Sequence, residues 1–141
     1  MACLVGIDYG VKRTGLSYTD PSQIIASGLT HLPTTKVFSY LKEFCKKEEV
    51  EAFVIGQPLQ KDGTPAAVEA DIKIFISELQ QLFPEQKIKR HDERFTSKMA
   101  VQAMIDGGLK KQQRKNKGKI DQISATLILQ SYLDFKTNSI Q

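Results

Sequence analysis

The stretch Cys3-Leu4-Val5-Gly6-Ile7-Asp8-Tyr9-Gly10-Val11-Lys12-Arg13-Thr14-Gly15-Leu16-Ser17-Tyr18-Thr19 decides the fold. Cys3, Leu4, Val5 and Ile7 form a short, nearly continuous apolar run, the pattern of a strand covered on both faces, and the run ends on Asp8. Extended character resumes at Thr14 after only the short link Gly10–Arg13, so the two segments are expected to fold back as an antiparallel hairpin. Ile24 to Leu32 supplies a third strand, and the chain opens as a three-strand meander.

Beyond the meander the period changes. Val37, Leu41 and Phe44 recur at i, i+4 and i+7, the spacing of an amphipathic helix that runs out near Lys47. Ala52 to Gly56 reads as a short buried strand. After the loop Gln57–Gly63, Thr64-Pro65 is expected to cap a helix whose inner stripe is Val68, Ile72, Phe75, Ile76, Leu79 and Phe83. That helix must end before Pro84. Lys87 to Asp92 is a weak fifth strand, with Ile88 its one strongly apolar residue. Thr96 or Ser97 then caps a helix closed by Gly107-Gly108, and a last helix runs from about Lys119 to Asp134. The order β1β2β3, α, β4, α, β5, α, α describes an α/β fold, a mixed sheet covered by helices.

A length of 141 residues fits one domain, residues 1–141, and is too short for two ordinary ones. No apolar run approaches the ~18 residues that a membrane-spanning helix needs, and the first residues lack a basic signal-peptide start. Cys3 and Cys45 are far apart in apolar contexts, as expected of packed thiols in a reducing, cytoplasmic compartment. The 20 basic and 16 acidic side chains leave a net charge of +4, and its distribution is uneven. Lys110, Lys111, Arg114, Lys115, Lys117 and Lys119 crowd into one stretch, while the rest of the chain is nearly balanced. A local excess of this kind points to a polyanionic partner, and a solvated, disordered charge run is the bland alternative.

Three acids stand out by position. Asp8 closes a buried strand, where a carboxylate is costly unless it is paired, hydrogen-bonded or bound to a metal, and the carboxyl ends of strands are where open α/β sheets hold ligands. It can equally be a turn-forming aspartate beside Gly10. His91-Asp92-Glu93-Arg94 ends the fifth strand. Neighbouring strand residues point to opposite faces, so Asp92 and Glu93 cannot both reach one site, and periodicity does not choose between them. Asp121 stands at the edge of the apolar stripe Ile120, Ile123, Leu127 and Ile128, either as a first-turn acid on the helix dipole or as a group carried to the strand ends. Together such acids form an oxygen-donor cluster suited to Mg2+ or Mn2+, and with a phosphodiester as substrate two such ions can activate water and stabilise the leaving oxygen.

The quoted residues resemble a known family. Gly6-Ile7-Asp8-Tyr9-Gly10-Val11-Lys12-Arg13-Thr14-Gly15 is similar to the opening motif of the YqgF/RuvX family of pre-16S rRNA nucleases and Holliday junction resolvases. Val54-Ile55-Gly56-Gln57-Pro58-Leu59 with Asp62-Gly63, then Asp92-Glu93-Arg94-Phe95-Thr96, then Lys119-Ile120-Asp121 with Ser124-Ala125 and Leu127 to Asp134, resemble its later blocks in order. The resemblance implies a ribonuclease H-like fold with a mixed five-stranded sheet, β1-β2-β3 antiparallel and β4 and β5 parallel to β1. It also implies Asp8, Glu93 and Asp121 as catalytic, metal-binding acids, preferring Glu93 over Asp92. Val11, Gln57, Phe95 and Ser124 depart from the residues common in the family, and none of these departures removes a carboxylate.

Around the acids, Lys12, Arg13 and Arg94 are candidate phosphate contacts, and the basic residues from Lys110 to Lys119 are candidates to track a nucleic-acid backbone. An exposed polar hairpin tip is the bland alternative for Lys12 and Arg13. His31 and His91 read as structural or exposed. The leading expectation is a metal-dependent nuclease acting on precursor 16S rRNA, with pre-ribosomal particles as a further partner, as monomer or homodimer. A junction-DNA resolvase, which needs two sites in a two-fold dimer, and a catalytically silent nucleic-acid-binding domain are the alternatives. Asp8-Tyr9-Gly10 with Gly15 also resembles the phosphate loop of sugar kinases and actin-like ATPases, but those enzymes close two such domains on the nucleotide.

Overall fold

Alternation along β1 (Cys3–Asp8) divides the molecule into two cores. Cys3, Val5 and Ile7 point into a cluster with α1 (Val37–Lys47) and α2 (Glu69–Leu82), while Leu4 joins a second cluster built on α3 (Lys117–Ile140). In a strand covered on both sides every residue must be apolar or small, which is why the opening run lacks the polar alternation of a half-exposed strand. The computed structural model describes residues 2–93 and 117–140, with side chains in the last helix described from 120 to 136.

β1 lies at the centre of the sheet. It pairs antiparallel with β2 (Arg13–Thr19) and parallel with β4 (Val50–Gln57). β3 (Ala26–Pro33) extends the antiparallel side and β5 (Lys87–Asp92) the parallel side, giving the order β3-β2-β1-β4-β5. The expected mixed five-stranded sheet is therefore present, with its meander and its two strands parallel to β1. The carboxyl ends of β1, β4 and β5 share one edge of the sheet. Among the described residues no helix is long and apolar enough to cross a membrane.

Several boundaries depart from the sequence reading. β3 begins at Ala26 and not at Ile24, because Asp20 Oδ1 accepts hydrogen bonds from the N–H groups of both Ile24 and Ile25, each at 3.0 Å, and holds them in a turn. Thr64-Pro65 does not cap α2. Asp62 Oδ1 takes the Thr64 hydroxyl at 2.7 Å and its N–H at 3.0 Å, Leu59 bridges Pro65, and the helix starts at Glu69. α3 starts at Lys117, before the expected Lys119, so Gly118 is absorbed into a helix at a cost of only about 1 kcal/mol. Asp121 consequently lies one turn inside the helix and is not a first-turn residue. The helix expected after Thr96 lies outside the described residues.

The thiols behave as packed side chains. Cys3 is buried and Cys45 partly so; burial, helped by the nearby Glu48 charge, pushes the Cys3 thiol up to about 11.

Candidate active site at the carboxyl ends of β1 and β5

The parity that places Cys3, Val5 and Ile7 against α1 and α2 turns Gly6 and Asp8 toward α3. On β5, His91 marks the same face: its Nε2 lies 2.8 Å from Ser131 Oγ, and its ring meets those of Tyr132 and Phe135 edge-on at 6.2 Å. Glu93, two residues on, returns to the α3 face, whereas Asp92 takes the opposite parity. The Glu93 carboxylate accordingly lies against Gly56 at the end of β4 and shares a side-chain hydrogen bond with Asp8. Sheet geometry thus separates two neighbouring acids that the polar sequence of β5 left equivalent.

Gly56 has a direct role here. A Cβ at this position would collide with Glu93 Oε1 and lie 2.8 Å from Ile128 Cδ1, so only glycine lets the carboxylate rest on the β4 backbone. Asp121 arrives from α3 by a similar approach. A Cβ on Gly15 would collide with the Asp121 carbonyl, so the helix backbone lies directly on β2. Ser17 Oγ donates to the Ala125 carbonyl at 2.7 Å, and Ala26 N–H donates to Gln130 Oε1 at 2.9 Å, fixing the helix along the meander. Arg13 Nε donates to Asp121 Oδ2 at 3.2 Å.

Burial is the main reason Asp8 holds its proton well above the usual aspartate range, and the neighbouring Glu93 and Asp121 charges add to it. Glu93 is also raised by burial, against the opposing pull of its hydrogen bond with Asp8 and of the Arg90 charge. The hydrogen bond between them raises Asp8 and lowers Glu93, so Asp8 is the partner that favours the protonated form. Two crowded carboxyl groups in a desolvated corner relieve their repulsion in one of two ways, by keeping a proton or by taking a cation.

The donor chemistry fits a hard divalent ion, because all three acids offer oxygen. Among the described residues, however, no three acidic, histidine or cysteine side chains are gathered closely enough to hold an ion. Asp121 is paired with Arg13 at 3.2 Å.

Lys12 and Arg13 stand at the exposed tip of the β1–β2 hairpin beside this corner. Arg94, Lys110, Lys111, Arg114 and Lys115 lie outside the described residues, as do the side chains of Lys117 and Lys119, whose backbone forms the start of α3. His91 is buried and structural in its contacts, as the sequence suggested.

One element of the site was missed by the sequence reading. Arg90 donates to both carboxylate oxygens of Glu69 at 2.7 and 2.9 Å, and also to the carbonyls of Ile55 and Gly56 at 3.3 and 3.0 Å. Its signal in the sequence was only a charged residue in a short strand, and nothing in the spacing pointed to Glu69.

Residues 2–135 match the RuvX family, described as Holliday junction resolvase. A Flavobacterium johnsoniae protein named "Putative pre-16S rRNA nuclease" is 52% identical over 136 residues, covering 96% of this chain and 99% of that protein. A Christiangramia forsetii protein of the same name is 50% identical over 133 residues, covering 94% and 98%. Among solved structures, T. thermophilus RuvC in complex with a Holliday junction substrate superimposes with a TM-score of 0.59 at 12% identity, over 99% of this chain and 98% of that one. The fowlpox virus Holliday junction resolvase gives 0.52 at 13% identity, over 95% and 99%. At these identities the structures speak for the fold alone, which is ribonuclease H-like. The sequence match runs almost from end to end, and on that ground the chain belongs to the RuvX family.

Proposed function

We propose that this chain is a divalent-metal-dependent nuclease that hydrolyses phosphodiester bonds in the maturation of the 5′ end of pre-16S rRNA, in the cytoplasm. The observation that carries this reading is the hydrogen-bonded pair Asp8 and Glu93, brought together at the carboxyl ends of β1 and β5 across Gly56 of β4, with the Asp121 charge close enough to act on Asp8. The named relatives support the rRNA substrate.

Asp8, Glu93 and Asp121 would hold Mg2+ or Mn2+. Such an ion supplies charge neutralisation at the phosphoryl oxygens and eases deprotonation of the attacking water. The remaining work falls to the chain itself. Asp8 would have to be deprotonated to serve as a ligand, so ion binding would be favoured by rising pH. Asp121 would have to exchange its contact with Arg13 to join the other two acids, and the Arg13 guanidinium would then be available as a donor to the substrate phosphate. Lys12 adds a point charge at the same rim, and the basic residues between Lys110 and Lys119 contribute sequence-independent affinity that falls with salt.

The test is a cleavage assay on precursor 16S rRNA with Mn2+ and Mg2+. Asp8→Asn, Glu93→Gln and Asp121→Asn should each abolish cleavage while leaving RNA binding largely intact. No cleavage by the unaltered protein with any divalent ion would leave a silent binding domain instead.

A second reading, resolution of junction DNA, is favoured by the description of the family. Symmetric cleavage of a four-way junction requires two such sites related by a two-fold axis. Junction cleavage by a dimer, without cleavage of precursor rRNA, would select it.

A further inference from the structure

We propose that Arg90 is a positioning residue for Glu93, its guanidinium tying the end of β4 to α2 so that the Gly56 backbone forms a fixed platform for the Glu93 carboxylate. The consequence for catalysis rests on the nuclease reading above; the placement itself does not.

Arg90 sits on β5 opposite Ile55, and its parity directs it to the face away from Glu93. From there the guanidinium spends its donors on three elements. Nε and Nη2 reach the Ile55 and Gly56 carbonyls on β4, while Nη1 and Nη2 grip the two oxygens of Glu69 in the first turn of α2. The Glu69 side chain is only 6% exposed and that of Arg90 22%, so the fork is held in a largely water-free position. A planar, bidentate contact fixes orientation as well as distance, which a lysine at this position cannot do.

The other side of the same peptide carries Glu93. Because a Cβ on Gly56 would strike Glu93 Oε1, the carboxylate rests on the backbone with nothing between them. Gly56 is thus held by Arg90 through its carbonyl and bears Glu93 against its Cα. Any displacement of that peptide passes directly to the acid, and a misplacement of about 1 Å at a reacting group costs on the order of a hundredfold in rate. An ion pair kept only for stability would serve as well if replaced by apolar side chains. A fork that also captures two strand-end carbonyls has a geometric task beyond charge pairing.

The experiment compares Arg90→Lys with the unaltered protein in the full chain. Arg90→Lys keeps the positive charge and loses the fork. Cleavage of precursor rRNA with Mn2+ should show kcat falling about tenfold or more while KM stays within about twofold, the pattern of a lost transition-state geometry. The 13C carboxyl resonance of Glu93, recorded in the metal-free protein, should move in Arg90→Lys. Glu69→Gln, which retains one acceptor and leaves both carbonyl bonds, should move that resonance less and lower kcat less. Unchanged kcat per folded molecule, or an unmoved Glu93 resonance, overturns the proposal and leaves Arg90 a structural ion pair. If the unaltered protein does not cleave, the nuclease reading fails, and the resonance alone decides the placement.

Discussion

The two faces of the sheet are built on opposite principles. Against α1 and α2 the strands present a thick apolar layer in which Phe53, Ile7, Leu16, Ile55, Leu41 and Leu79 are all fully enclosed, with Phe75 and Phe83 packed around them. Phe53 and Phe83 meet edge-to-face at 5.4 Å, and Phe38 stacks on Phe75 at 5.0 Å. Against α3 the apolar cluster is smaller among the described residues, Leu4, Ala52 and Val54 facing Ile128, Leu129 and Leu133, and the contact is completed by glycines and by the polar Ser17 and His91. The first face removes large apolar area from water, which is where stability comes from. The second brings a helix backbone onto strand backbones, which sacrifices buried area but fixes where Asp121, Asp8 and Glu93 stand. Stability and placement are thereby separated onto different sides of one sheet.

The sharpest way to break that comparison is to damage the thick face. Phe53→Ala should cost about 3–5 kcal/mol of unfolding free energy, read from the denaturant midpoint, with cleavage per folded molecule unchanged. Loss of activity in the folded fraction would mean the faces are not separable. Gly15→Ala tests the opposite face. The added methyl strikes the Asp121 carbonyl, so about 3 kcal/mol of overpacking is expected together with a disproportionate loss of cleavage. Retained activity would show that the seat of α3 does not control the acids.

The Glu69 and Arg90 pair, which joins the thick face to the site, gives a pH-dependent test. Hydrogen bonding to Arg90 holds the Glu69 carboxyl below its usual range. A depressed native value contributes stability that is present above the ordinary glutamate range and lost as pH falls through the native value. Glu69→Gln should therefore cost about 2 kcal/mol near neutral pH and progressively less in acid. A difference that persists undiminished in acid would assign the effect to packing and not to charge. The smallest effect belongs to the rim. Arg13 is 42% exposed, so Arg13→Gln should change stability by less than about 1 kcal/mol, with added salt erasing the difference, while weakening substrate binding. A large stability loss would place Arg13 in the scaffold.

Much of the scaffold was legible because it obeys local rules. β5 runs from Lys87 to Asp92 and α1 ends at Lys47, as their patterns indicate, and the inner stripe of α2 contains Ile72, Phe75 and Leu79. Where the reading slipped, a side chain had captured the backbone. Asp20 held back the start of β3, and Asp62 took the hydroxyl of Thr64 that was expected to cap α2. Such captures depend on a rotamer, which periodicity does not register.

The candidate site divides along the same line. Asp8 was visible as an acid ending a buried strand, and the three acids were visible as a set through the family resemblance. Between Asp92 and Glu93 the resemblance preferred Glu93, while the physical reason, the parity of β5 within the sheet, is one that a strand with a single strongly apolar residue cannot announce.

The sequence by itself determined the strand order, the helices among the described residues, the mixed sheet and the acids available for chemistry, because these follow from apolar spacing and from the cost of burying a carboxylate. Only the tertiary structure decided how Glu93 meets Asp8 across the Gly56 backbone, that Asp121 rests on Arg13, and that Arg90 secures the β4 end through Glu69. Those contacts join residues far apart in the chain, and their partners are chosen by sheet register and by which backbones glycine allows to touch.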